Sequence, residues 1–363
     1  MNVLFITNIP SPYRVDFFNE LGKYCTLDVI FERSTSDERD KSWEEFQFKH
    51  FNGIILNGAR FGKDKAITWK ILPWLRKEYT HIIVADAATP VGILAICYLK
   101  WKKKAYFIEG DGAQYVQRKG LKERLKRFVL GGAAGYFSTS KELDYYYKMY
   151  GAAPERIYRY PFSSIHASEI QEWEDRQEKR AIARSALKIF LEKKMVLAIG
   201  RFEHIKGFDL LIQSAKDLEN DTDIYIVGGT ATDEYDILLS ENNISNVYFV
   251  EFQRKKVLSQ YFLAADLFVL PTRYDPWGLV INEAMAFGLP VISTDKCVAA
   301  LELIENGING YVVPSEDITE LRNRMKQLLN TDSLCVEMGK SNLQKIKEYT
   351  IEKMALRHLD ILK

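Results

Sequence analysis

Apolar runs of strand length alternate with helical patterns along almost the whole chain, and this rhythm limits the fold more than any single residue does. Runs such as residues 3–6 and 267–270 are continuously apolar, as parallel strands covered on both faces are. In the first half, strands are expected at residues 3–7, 27–31, 53–56, 81–85, 104–108 and 135–138, and helices at 15–22, 66–77, 90–101, 119–130 and 141–150. The second half restarts the rhythm, with strands at 195–199, 223–227, 247–250, 267–270, 290–293 and 310–313. An α/β chain of this kind predicts doubly wound parallel sheets, here two Rossmann-like domains, one per half.

The 363 residues leave room for two ordinary domains, expected at 1–167 and 195–349. Residues 168–194 start acidic and turn basic, which fits a solvated helical connector. Residues 351–362 form an amphipathic helical pattern with Met354, Leu356 and Ile361. A net charge of +1 gives no overall field for a nucleic acid, and no nucleic-acid partner is expected. Cys25, Cys97, Cys297 and Cys335 are scattered, which argues for reduced thiols and against a zinc site. The chain opens directly on a strand pattern with no secretory signal, and no run approaches ~20 apolar residues. A cytoplasmic protein is expected, with an option of peripheral attachment to the inner face of a membrane.

Two stretches of the second half carry chemistry. Gly200-Arg201-Phe202-Glu203-His204-Ile205-Lys206-Gly207 closes a strand and opens a helix, so an arginine fork and a lysine point charge flank one tight turn. Tyr274-Asp275-Pro276-Trp277-Gly278-Leu279-Val280-Ile281-Asn282-Glu283 places two carboxylates eight positions apart across a strand-to-helix junction. Gly278 permits close backbone approach there, and the helix start offers N–H groups to a phosphate. Asp221-Thr222-Asp223 matches a three-residue metal motif, but it precedes a strand, away from these stretches, and is discounted.

Asp275-x7-Glu283 ahead of Ala284-Met285-Ala286, together with Gly200-Arg201-x4-Lys206-Gly207, resembles the signatures of retaining GT-B glycosyltransferases of family 4 (glycosyl transferases group 1). The resemblance implies two Rossmann-like domains facing a cleft, with the last helix, about residues 350–363, returning to the first domain. It implies a retaining, metal-independent transfer of a sugar from a nucleoside diphosphate-sugar, a UDP-sugar being the expected donor, with no cofactor. Arg201 and Lys206 would take the leaving diphosphate, Glu283 the ribose, and Asp275 the donor sugar. Gly200, Gly229, Phe252, Arg254, Trp277, Gly278, Leu279 and Val280 would border the donor. Asp275 is one methylene shorter than the family's glutamate, and Val298-Ala299-Ala300 replaces a common Gly-Gly pair. Retention is thought to proceed by front-face attack, the departing phosphate taking the proton.

In the first half, Asn8-Ile9-Pro10-Ser11-Pro12-Tyr13-Arg14 stands where a dehydrogenase would carry Gly-x-Gly-x-x-Gly, so a nicotinamide enzyme is disfavoured. The Ser-Pro-Tyr-Arg form resembles a bacterial surface-polysaccharide subgroup, with Ser11, Tyr13 and Arg14 on the acceptor side. Many relatives place a histidine near Glu109. Here Glu109 or Asp111 would replace it as polar contact or proton acceptor, or act as a cap or turn residue. Lys100, Lys102, Lys103, Lys104, Arg118, Lys119, Lys122, Arg124, Lys126 and Arg127 make residues 100–127 strongly basic. With Leu121, Leu125, Phe128 and Val129 on one stripe, that segment fits either an anionic membrane surface or ordinary core contact. The expected function is sugar transfer to a hydroxyl of a glycan or lipid-linked acceptor. Alternatives are a nucleotide-sugar epimerase or hydrolase on this scaffold, and a catalytically silent nucleotide-binding subunit.

Overall fold

The computed structural model describes residues 1–34, 47–61, 65–113, 115–116, 119–216, 218 and 221–363. Arg118 of the basic segment lies outside them. The chain divides into two compact bodies, Met1–Ser164 with Tyr349–Lys363, and Ile165–Glu348.

Strands of the first body are β1 (Asn2–Thr7), β2 (Thr26–Phe31), β3 (Asn52–Ile55), β4 (Ala59–Phe61), β5 (Lys65–Ile67), β6 (His81–Val84), β7 (Phe107–Glu109), β8 (Gly135–Ser138) and β9 (Ile157–Arg159). Seven of them form a sheet in the order β3-β2-β1-β6-β7-β8-β9, with β4 and β5 a separate antiparallel pair. Pairing within the seven-stranded sheet is parallel throughout. Its helices are α1 (Pro12–Leu21), α2 (Leu72–Arg76), α3 (Pro90–Trp101), α4 (Leu121–Leu130) and α5 (Lys141–Met149). Val3, Leu4, Phe5 and Ile6 are wholly buried, as a strand covered on both faces requires.

The second body holds α6 (Arg176–Leu187), β10 (Lys194–Ile199), α7 (Phe208–Ala215), β11 (Thr222–Val227), α8 (Asp233–Glu241), β12 (Val247–Val250), α9 (Lys255–Ala264), β13 (Leu267–Leu270), α10 (Leu279–Ala286), β14 (Val291–Thr294), α11 (Val298–Leu303), β15 (Gly310–Val313), α12 (Ile318–Leu329) and α13 (Asp332–Ile346). Its six-stranded sheet runs β12-β11-β10-β13-β14-β15, again all parallel. In each sheet the strand order reverses beside the first strand, between β1 and β6 and between β10 and β13. The crevice outside the carboxyl ends of the strands at such a reversal is where open α/β sheets bind ligands.

Several local expectations are corrected. The helix expected at 66–77 is a strand, a turn and the short α2, because Pro73 lacks an N–H and is tolerated only in a first helical turn. β7 starts at Phe107, not at 104, since the Lys104 amide still bonds to Leu99 O and Lys103 turns the chain at φ 53°. β9 is too short to show a period. Residues 168–194 stay largely at the surface, but α6 packs on α9 and Arg184 is fully buried. Its guanidinium donates to Ala264 O, Phe190 O, Leu191 O and Lys193 O and pairs with Asp266 at 2.7 Å.

The last helix, α14 (Ile351–Leu362), packs on α1 in the first body. Its buried face is Ile351, Met354, Ala355, His358, Leu359 and Leu362, whereas Leu356 is exposed. The α4 stripe is also split. Val129 and Leu130 are buried, but Leu121, Leu125 and Phe128 lie open at 82%, 49% and 52% exposure.

Candidate active site

The carboxyl ends of β10 and β13 bring the two motifs of the second body together. Gly200 leaves β10 against the end of β11 so closely that a Cβ on Gly228 would lie 1.8 Å from Gly200 O. Gly207, at φ 69°, turns the chain into α7 where a Cβ would meet Pro271 O at 2.0 Å. Between these glycines the basic turn is fastened to the loop after β13. Thr272 Oγ1 and the Arg273 amide each donate to Ile205 O at 2.8 Å, and Arg273 grips Asp209 through two 2.7 Å bonds. So fastened, Lys206 Nζ lies 2.7 Å from Asp275 Oδ2, and Arg201 pairs with Glu203 at 2.9 Å, half-exposed.

Asp275 is fixed from its own side as well. Its amide donates to Lys296 O, its carbonyl accepts from Val298 N, and its Oδ1 accepts from Trp277 N at 3.3 Å. Gly278 follows at φ 98° and starts α10, tight against Cys297, whose thiol donates to Trp277 O. Burial pushes the Cys297 thiol up to about 12. The first amides of α10, at Leu279 and Val280, therefore open beside Lys206 and Asp275, and Glu283 lies one turn further along, half-buried. Cations, helix-start amides and carboxylates converge at the sheet's reversal point, which is the layout an anionic diphosphate joined to a sugar would need. Gly229, at φ 130° with open space around it, and the exposed Phe252 and Arg254 follow β11 and β12 at the same edge.

Trp277 is an exception among the expected donor residues. Its indole is buried and donates from Nε1 to Asn282 Oδ1 at 3.0 Å, so it braces the junction instead of facing a ligand. The discounted Asp223 is buried at the opposite end of its strand and bound to Lys193 at 2.7 Å. Among the described residues no group of three or more His, Cys, Asp or Glu is arranged to hold a metal ion.

The first body presents a different polar cluster beside its own reversal point. Ser11 is the buried residue before α1, and Arg14, 3% exposed, points inward. One guanidinium arm lies 2.5 Å from Glu109 Oε1 and another contacts Asp111. Arg14 and Glu109 were expected on the acceptor side. Both are interior, since a buried guanidinium requires a buried partner. Glu109 also accepts from Tyr160 at 3.1 Å and faces His358 Nε2 at 3.3 Å. Burial alone would raise its carboxyl, but Arg14 and His358 outweigh burial and hold it at about 2.

Asp111 differs, because 39% of its side chain stays open. Desolvation by the surrounding protein and the nearby Glu109 and Asp86 carboxylates outweigh Arg14 and push it up to about 6. Tyr13 is half-buried, hydrogen-bonded to Asp111, and set edge-on to Phe162. Asp86 accepts from Thr7 Oγ1 and Asn8 N at the ends of β6 and β1. Thus Tyr13 and Asp111 are the expected acceptor-side residues that remain open. His358, Tyr160 and Asp86 were missed. A histidine on the apolar stripe of the last helix was the one available sign of the first.

The sequence and fold have known counterparts. The family model for glycosyl transferases group 1 matches residues 179–345. An uncharacterised glycosyltransferase of Haemophilus influenzae is 27% identical over 172 residues, 45% of this chain and 47% of its own length. The chain thus spans about half of that curated relative. Among solved structures, Anabaena HepE in complex with UDP superposes with a TM-score of 0.76 at 16% identity, covering 99% of each chain. WaaG, a glycosyltransferase involved in lipopolysaccharide biosynthesis, gives 0.70 at 18% identity, also over 99% of each chain. Residues 179–345 thus match the model of the glycosyl transferases group 1, within a chain whose fold is that of GT-B glycosyltransferases.

Proposed function

We propose that the protein is a retaining glycosyltransferase that moves a hexose from a nucleoside diphosphate-sugar, a UDP-sugar in the first instance, to a hydroxyl of a glycan or lipid-linked acceptor in surface polysaccharide synthesis. The observation that carries this reading is the junction of Lys206 with Asp275 beside the start of α10, with Arg201 on the same turn. Negative charge grows on the diphosphate as the sugar departs. Cations fixed in advance around it stabilise that state more than the bound donor. Arg201 and Lys206 do this without a metal ion, Asp275 and the amides of Leu279 and Val280 hold the sugar and phosphates, and Glu283 grips the ribose. The departing phosphate takes the acceptor's proton, so no protein base is required on the donor side.

The same reading places the enzyme at a membrane surface. No helix among the described residues is long and apolar enough to cross one. α4 instead turns Leu121, Leu125 and Phe128 outward between Lys122, Arg124, Lys126 and Arg127, with Trp101 72% exposed at the end of α3. That is the composition of a helix that lies on anionic lipid. A thermal-shift screen of UDP-, GDP-, ADP- and CDP-sugars, with and without EDTA, tests the donor assignment. Stabilisation by one nucleotide class that survives EDTA is expected; a response to none, or one abolished by EDTA, rejects it. Product analysis then separates transfer from simple consumption of the donor.

A further inference from the structure

His358 lies far along the chain from any motif, yet its side chain is wholly enclosed beside the first body's acidic cluster. Its Nδ1 is 2.8 Å from Met354 O and its Nε2 is 3.3 Å from Glu109 Oε2. Both partners only accept: one is a backbone carbonyl, the other a carboxylate kept ionised by Arg14. A neutral imidazole has a single N–H and would turn a lone pair toward one of them. Both contacts are satisfied only when both ring nitrogens carry hydrogen. Phe137 stacks on the ring at 4.6 Å and 9°, Tyr160 and Phe17 close it in at 4.6 and 4.8 Å, and the Glu109 carboxylate lies inside that enclosure.

The charges then divide unevenly. Glu109 receives His358 on one oxygen and Arg14 with Tyr160 on the other. Asp111 takes the second arm of Arg14 and a hydrogen bond from Tyr13. Asp86 is satisfied by Thr7 and Asn8. Of these three carboxylates Asp111 is ion-paired to Arg14 and still keeps 39% of its side chain open.

We propose that His358 is a positioning residue: as a doubly protonated imidazolium it fixes Glu109, Glu109 fixes Arg14, and Arg14 presents Asp111 as the carboxylate that receives the acceptor's hydroxyl. The C-terminal helix is thereby part of the first body's site. The acceptor role of Asp111 rests on the transferase reading, whereas the relay from His358 to Asp111 does not. The groups that set the Asp111 charge are Arg14 and Tyr13 on α1, Asp86 after β6, Glu109 on β7, Tyr147 on α5, Tyr160 after β9, and His358 on α14 through Glu109.

The test uses the full chain. Carboxyl NMR titration of 13C-aspartate protein, with the Asp111 signal identified by its loss in Asp111→Asn, is run on wild type, Glu109→Gln and His358→Gln. Asp111 should titrate near 6 in wild type, lower when the Glu109 charge is removed, and higher when the His358 charge is removed. Imidazole 15N shifts of the wild type should show both His358 nitrogens protonated at neutral pH, a measurement that survives even if a variant does not fold. An Asp111 titration indifferent to His358→Gln, or a singly protonated ring, overturns the relay. With the donor chosen by the nucleotide screen, Asp111→Asn should raise the acceptor KM or lower kcat by roughly tenfold or more, the loss of one charged hydrogen bond, with donor affinity unchanged. Unchanged acceptor kinetics would overturn the acceptor role. A wild type that transfers no sugar removes that role together with the transferase reading, and the titration still decides the relay.

Discussion

Lys206 Nζ and Asp275 Oδ2 lie 2.7 Å apart, although 69 residues separate them in the chain. The ion pair joins the basic turn after β10 to the acidic loop after β13. A diphosphate arriving at this edge would compete with Asp275 for the lysine, and Arg201 stands half-exposed on the same turn.

Arg201→Ala should therefore lower kcat by roughly 10²–10³, the usual loss when one donor to a developing anion is removed. Its partner Glu203 is also half-exposed, so folding stability should barely move. Steady-state kinetics with saturating donor, beside a melting curve, checks both parts. Glu283→Gln should instead weaken donor binding by about 1.5–3 kcal/mol.

Gly278 and Gly229 give a paired prediction, since both have left-handed backbone, at φ 98° and 130°. A Cβ at Gly278 would sit 2.7 Å from Cys297 Sγ, while a Cβ at Gly229 meets nothing within 4 Å. Gly278→Ala should lose both backbone ease and packing, roughly 1–3 kcal/mol, and Gly229→Ala clearly less. Thermal unfolding of the two variants compares them, and equal losses would show that the Cys297 contact relaxes freely.

Cys297 should also report on this junction. Its thiol is fully buried and pushed up to about 12, so it stays protonated and shielded at pH 8. Disulfide-exchange labelling of native protein should leave it untouched and modify it on denaturation. Mass mapping of the labelled peptides reads the difference.

How much of this was legible in the sequence depends on chain distance. Gly200, Arg201, Lys206 and Gly207 are near neighbours, as are Asp275, Gly278 and Glu283, so each half of the proposed donor edge carries its own signal. The rhythm of apolar runs likewise revealed both sheets, because each buried strand is a local feature. The Arg14–Glu109–His358 cluster has no such signal: its members are 95 and 249 positions apart, and each looks like an ordinary polar residue until the sheet and α14 bring them together. Arg184 misled for a related reason. A basic, helical stretch reads as solvated, and only the carbonyls at 190, 191, 193 and 264 show that its guanidinium is interior.

Arg184 should consequently be costly to replace. Arg184→Leu would remove the donor shared by four carbonyls and leave Asp266 to Arg180 and the Met195 amide. Because Asp266 keeps Arg180, the cost should stay below the ~3–5 kcal/mol of an orphaned buried charge. Urea unfolding of the full chain should show that loss; a change below about 1 kcal/mol would mean that water replaces the guanidinium.

The outward stripe of α4 leads to the last prediction. Leu125 and Phe128 are about half exposed beside Arg124, Lys126 and Arg127, and Lys100 Nζ lies 4.2 Å from the Phe128 ring. Cations near an anionic surface contribute about 1 kcal/mol each, and an apolar side chain entering the interface adds to this. The protein should co-sediment with vesicles containing phosphatidylglycerol and much less with pure phosphatidylcholine. Leu125→Gln with Phe128→Gln should weaken that binding at least tenfold while leaving the melting temperature within a few degrees, because neither residue is core. Raising the salt should weaken the wild type as well, through screening of the cations. Binding that ignores anionic lipid content, or that survives loss of both side chains, would assign the exposed stripe to some other contact.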